Sequence, residues 1–98
     1  MTSLKMIIAI LKVDLYIHGA SSLKDKRTVI RGIKDRIGNK FNVSIAELDF
    51  QDKWQRAQLG IAQVGSDFKY VEKNMNTIFK ILDSNDFAEV IEHSLEFL

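Results

Sequence analysis

Apolar residues recur with two periods along the chain, and the switches between them mark six elements. Residues 6–17, MIIAILKVDLYI, are rich in β-branched and aromatic types, and toward their end Leu11, Val13, Leu15 and Ile17 alternate with Lys12, Asp14 and Tyr16. That period of two predicts a strand. HGASS is a turn, and Ser22 followed three residues later by Asp25 makes a capping-box pattern with Asp in the usual Glu place. Leu23, Ile30, Ile33 and Ile37, spaced seven, three and four, predict a helix to about Asn39, with Gly38 and Asn39 as its stop. Residues 42–50 and 56–65 read as strands joined by QDKWQ, and so short a connection favours an antiparallel hairpin. Ser66 and Asp67 offer an N-cap to a second helix running to about Leu82, with Val71, Met75, Ile78 and Leu82 spaced four, three and four. DSND ends that helix, and across residues 87–97 Ile91, His93, Leu95 and Phe97 alternate with Glu92, Ser94 and Glu96, which predicts a last strand.

The order β-α-β-β-α-β predicts an α+β domain of the ferredoxin-like, split βαβ kind: a four-stranded antiparallel sheet with two helices on one face. Ninety-eight residues suffice for one core, so 1–98 is expected to be a single domain. Gln63 is the exception to the pattern, polar where the third strand should face the core. Hydrophobic residues at 46% and charged residues at 28% place the chain among globular rather than disordered proteins. The run MIIAIL is too short to span a bilayer and is followed by Lys12 and Asp14, so no membrane association and a cytoplasmic location are expected.

The net charge of +1 conceals an asymmetry. Between Ser21 and Lys40 seven basic residues (Lys24, Lys26, Arg27, Arg31, Lys34, Arg36 and Lys40) stand against Asp25 and Asp35, a net of +5. From Asp83 to Leu98 the chain carries five carboxylates and no Lys or Arg. Winding the first helix at about 3.6 residues per turn places Lys24, Arg27, Arg31 and Lys34 on one stripe beside its apolar face, away from Asp25 and Asp35. Cations about a turn apart match a phosphate backbone. They equally suit a solvated flank whose charges pair with the acidic tail. Trp54, the only tryptophan, sits between Lys53 and Arg56 in the hairpin connection. It either closes the hairpin end against neighbouring side chains or serves as a stacking plate for single-stranded RNA.

Several chemistries are excluded. Without cysteine there are no disulfides, thiolate metal sites or cysteine nucleophiles. An acylphosphatase needs an arginine in the loop after the first strand, which HGASSL lacks, and an RNA-recognition motif needs aromatics in the third strand, which RAQLGIAQV lacks. His18 beside a glycine turn reads as a solvated loop residue, and His93 as a hydrogen-bonded core residue. Glu47, Asp49 and Asp52 read as solvated or paired with Lys53 and Arg56 rather than as a metal site. The expectation is a protein with no catalytic residue, metal or cofactor.

Residues 22–62, SLKDKRTVIRGIKDRIGNKFNVSIAELDFQDKWQRAQLGIA, resemble the signature of the YlxP-like family, small single-domain bacterial proteins of unknown function. The matching positions are Ser22, Leu23, Lys24, Lys26, Arg27, Phe41, Asn42, Val43, Gln51, Asp52, Trp54, Gln55 and Arg56. The resemblance implies the same ferredoxin-like fold and, from the company its genes keep, a place near translation initiation and ribosome maturation. The expected function is that of a non-enzymatic RNA-binding or ribosome-associated protein. Its partner, RNA or a ribosomal particle, would be held by Lys24, Arg27, Arg31, Lys34, Lys53, Trp54 and Arg56. The alternative is a regulatory or structural homo-oligomer with no nucleic-acid partner. A homodimer is expected through the open sheet face, where alternation places Tyr16, Ala46, Leu48, Phe50, Gly60, Ala62, Val64 and Ser94.

Overall fold

A computed structural model describes residues 5–98. Strand β1 (Ile7–Tyr16) leads to helix α1 (Leu23–Gly38), then to strands β2 (Ser44–Asp49) and β3 (Arg56–Gly65), helix α2 (Phe68–Asp83) and strand β4 (Glu89–Phe97). The strands form one sheet in the order β2-β3-β1-β4, every neighbouring pair antiparallel. The ferredoxin-like α+β architecture is thus present as the hydrophobic pattern predicts. Among the described residues no helix is long and apolar enough to cross a membrane.

Alternation assigns the two sides of the sheet. Ala9, Leu11, Val13 and Leu15 of β1 and Ala57, Leu59 and Ile61 of β3 are buried beneath the helices. They meet Ile30, Ile33 and Ile37 from α1 and Val71, Met75, Ile78 and Leu82 from α2, which form the core with them. Gln63 also lies on the core side and is buried, but Asn74 Nδ2 of α2 donates to its Oε1 at 3.3 Å, which supplies the partner that a buried amide requires. The buried row of α1 begins at Lys26, not at Leu23, which is only half-buried. A lysine therefore occupies the first inward position of an otherwise apolar helix face.

The open side carries more polar residues than those named for the expected contact. Lys12, Asp14 and Gln58 share it with the small and apolar residues, because they fall on the same alternation as Tyr16, Gly60 and Ala62. His93 is also not as expected. It is exposed and stacks on Phe79 of α2, with ring centroids 4.3 Å apart, because β4 is a sheet edge that α2 covers from one side only.

Helix α1 starts at a reciprocal cap. Ser22 Oγ accepts from the Asp25 N–H at 3.0 Å, while Asp25 Oδ2 accepts from the Ser21 N–H at 3.0 Å and from Ser21 Oγ at 2.8 Å. The carboxylate arm thus reaches one residue further back than in the usual box. At the other end Gly38 remains helical and the Asn39 N–H bonds to Asp35 O at 3.0 Å, so the stop uses no left-handed residue. The two Ser21 donors hold the Asp25 carboxyl below its ordinary value of 3.8. A carboxylate depressed on folding stabilises the native state above its unfolded value and ceases to do so as pH falls through the folded one. Asp25→Asn is therefore expected to lower the thermal midpoint at pH 7, and the gap from the parent protein to close as pH falls below 3.8. Thermal melts of both proteins between pH 7 and pH 2 check this; a gap that is constant with pH would remove the charge from the cap.

Candidate nucleic-acid interface

The connection between β2 and β3 is built around a strained residue. Pairing of β2 with β3 slips by one between Glu47 and Asp49. Phe50 then takes φ 64°, in the left-handed region that a bulky side chain rarely occupies. Such a conformation costs about 1–3 kcal/mol and persists only where its surroundings hold it. Here the Phe50 N–H bonds to Asp49 Oδ1 at 2.7 Å, and its carbonyl accepts from the Lys53 N–H at 3.0 Å and from Lys26 Nζ at 2.7 Å. The Arg56 guanidinium lies 4.5 Å above its ring.

Lys26 is the centre of this arrangement. Its ammonium is buried to 1% exposure and donates to Phe50 O, to Gln51 O at 3.3 Å and to Arg56 O at 3.2 Å. Three N–H groups thereby meet three backbone carbonyls. Glu47 Oε2 stands 2.9 Å from the same nitrogen but off the direction of a hydrogen bond, so it balances the charge while the carbonyls take the protons. Glu47 therefore pairs with a residue of α1, and not with Lys53 or Arg56. It lies with Ile45 on the helix-facing side of β2, while the bulge breaks the alternation that would have set Asp49 beside it. Among the described residues no group of three or more His, Asp or Glu side chains is placed to hold a metal ion.

Lys26 binds the first turns of α1 to the hairpin connection, and this places the predicted residues. Ser21, Lys53, Trp54 and Arg56 line one open cleft of about 620 Å³. Trp54 is 53% exposed, so it does not close the core. On α1, Lys24, Arg27 and Arg31 are exposed and Lys34 is half-buried. The opposite flank of α1, with Val29 and Gly32, faces Asn85 and Phe87. The basic stripe therefore lies on the flank of α1 away from Asn85 and Phe87, and Ser21, just before the helix, lines the Trp54 cleft. No residue of the stripe forms an ion pair among the described residues; the pairs present are His18–Glu89, Lys26–Glu47 and Arg56–Asp14.

Arg56 is the predicted contact that the fold holds back. Besides covering Phe50 it approaches Asp14 Oδ2 at 3.9 Å, and its Nε is buried with no partner among the described residues. His18 is exposed at the end of β1, 3.3 Å from Glu89 and edge-on to Tyr16. The residues that sequence reasoning missed are Lys26 and Glu47. The signal was there: counting back from Ile37 by four, three and four lands on Lys26, and counting on by twos from Val43 and Ile45 lands on Glu47. Two opposite charges, each interrupting an apolar period, belong to each other.

Residues 8–95 match the family described as Protein of unknown function (DUF503). A relative, the uncharacterized protein YlxP of Bacillus subtilis (strain 168), is 44% identical over 77 residues, covering 79% of this chain and 82% of its own. The chain belongs to the DUF503 family. Two pieces of the YlxP-like signature, SLKDKR and QDKWQR, are thus far apart in the DUF503 sequence and joined in space by Lys26. The structure is also similar to two crystal structures of SnoaB, a cofactor-independent oxygenase from Streptomyces nogalater. One, a point mutant, has TM-score 0.53 and 13% identity, covering 95% of this chain and 92% of that one. The other has TM-score 0.51 and 14% identity, covering 92% and 90%. At that identity the likeness is one of fold.

Truncating one partner of a buried charged network costs about 3–5 kcal/mol, because the other partners lose their compensation. Lys26→Met is accordingly expected to lower the urea unfolding free energy by about that amount, and Glu47→Gln by only ~1–2 kcal/mol, since the carbonyls still hold the ammonium. A Lys26→Met loss under ~0.5 kcal/mol, the range of an ordinary surface change, would mean the clamp is dispensable.

Proposed function

We propose that this DUF503 protein is a non-enzymatic binder of RNA or of a ribosomal particle, using the exposed flank of α1 together with the Trp54 cleft. The observation that carries the reading is the separation of charge. Lys24, Arg27, Arg31 and Lys34 have no ion-pair partners among the described residues, while Glu89, Glu92 and Glu96 lie on β4, at the opposite edge of the sheet from β2. Three strand spacings, about 14 Å, separate the two edges, more than a Debye length at physiological salt. The tail does not neutralise the stripe, which leaves its field available to a phosphate backbone.

The stripe and the tryptophan have complementary roles. Cations recurring every 4.5–6 Å or so along the helix follow successive phosphates. Trp54 offers a flat face for one unpaired base, with Lys53 beside it for the adjoining phosphate. The strained connection keeps that face in a fixed relation to the stripe, so little ordering remains to be done on binding.

Five phosphate contacts with single-stranded RNA make affinity fall about 100-fold between 50 and 200 mM salt. Arg27→Glu combined with Arg31→Glu is expected to weaken binding more than tenfold, with a thermal shift equivalent to no more than ~0.5 kcal/mol per exposed site. Filter binding to total cellular RNA and to ribosomal particles over a salt series checks both, and binding unaffected by the double substitution would eliminate the stripe.

Trp54→Ala separates stacking from packing. Being half exposed, the side chain is expected to contribute ~1–2 kcal/mol to stability rather than the ~3–5 kcal/mol of a buried aromatic. Binding of single-stranded RNA should weaken by ~1–3 kcal/mol. Denaturant titration and RNA titration of the same variant give the two numbers; a full-sized stability loss with unchanged RNA affinity would assign Trp54 to the hairpin.

A further inference from the structure

The sheet face that no helix covers carries five of the exposed large apolar residues, Met6, Ile10, Leu48, Val64 and Leu98, each between 36 and 68% exposed. Register sets Ile8 opposite Val64 and Ile10 opposite Ala62, and the Leu98 N–H bonds to Ile8 O at 2.8 Å. Apart from Leu48 they gather around the start of β1. Leu48 lies flat on Gly60, where a Cβ would come within 2.8 Å of its Cδ1. The other end of the face is polar, with Lys12, Asp14, Gln58, Glu92 and Ser94 around a cavity of about 300 Å³. Register sets Asp14 directly opposite Glu92, two carboxylates that repel across a strand pair. Gln58 Nε2 donates to Asp14 at 2.8 Å, and Lys12 makes no ion pair among the described residues.

We infer that this face is the contact of a symmetric homodimer, a second copy of the chain seated sheet on sheet. Its charges decide the occupant. Lys12 and Arg56 are interspersed with Asp14, Glu92 and Glu96, so the face has neither the single sign that recruits a polyanion nor the composition of a purely apolar groove. A copy supplies what it lacks: carboxylates for Lys12, and an ammonium for the Asp14–Glu92 pair. A two-fold axis along the strands sets the apolar end on the apolar end and the mixed-charge end on its equal. Four strands about 4.8 Å apart and up to ten residues long give a footprint of about 600 Å² per copy, about 1,200 Å² in all, which reaches the range of specific, stable contacts. The stripe of α1 lies on the other side of the sheet, so dimerisation leaves two basic flanks exposed and is independent of the RNA reading.

Light scattering across a wide concentration range tests the dimer. The mass is expected to approach twice the 11.2 kDa of one chain. Val64→Glu and Ala62→Lys, each of which puts a charge in the contact, should weaken association about 30-fold or more. Tyr70→Glu, at an equally exposed position on α2, should leave the mass unchanged. Val64 is 63% exposed in the monomer, so Val64→Glu keeps the fold even if Ala62→Lys does not. A mass fixed at 11.2 kDa at the highest concentration, or a dimer that survives Val64→Glu, overturns the proposal. Arg27→Glu with Arg31→Glu leaves the mass unchanged, so failure of the RNA reading is distinguishable from failure of this one.

Discussion

The fold turns on one buried ammonium. Lys26 sits in the first inward position of α1, where an aliphatic side chain would have served the core, and its three protons go to the carbonyls of Phe50, Gln51 and Arg56. A buried pair such as Lys26–Glu47 is a weak source of net stability, since removing both ions from water costs about as much as their attraction returns. What it supplies is geometry. Three carbonyls converge on one point only when the connection between β2 and β3 adopts a single path, and that path includes Phe50 at φ 64°. An aliphatic residue would fill the space without defining where the loop goes.

That geometry turns separated stretches of chain into one surface. The first turns of α1 and the residues around Trp54 are some thirty positions apart, as the Lys26 to Arg56 contact shows. Once they are joined, the residues just before α1, Ala20 and Ser21, line one cleft with Trp54, and the cations on the outer flank of α1 make no ion pair among the described residues. Arg56 covers Phe50 and approaches Asp14, whereas Lys53 makes no ion pair among the described residues. The same antiparallel order carries β4 and its glutamates to the far edge. A chain with net charge +1 thus carries the glutamates of its tail on the β4 edge, apart from the cations on the outer flank of α1.

Much of the architecture was legible in the chain itself. Local steric preference and hydrophobic periodicity act over a few residues, and they sufficed for six elements, their order and the N-caps at Ser22 and Asp67. The basic stripe was also legible, because a helix of regular pitch decides by itself which residues share a flank. The rest depended on distant partners. The period of α1 points Lys26 inward, but nothing near it in sequence supplies the partners an ammonium needs there, a set of carbonyls more than twenty residues away. The exposure of His93 and the withdrawal of Arg56 are likewise consequences of which strand became an edge and which side chain lay above which. Periodicity determined the elements and their faces; only tertiary structure decided which charges met a partner and which were left to solvent, because desolvation and pairing depend on distances that the order of residues does not contain.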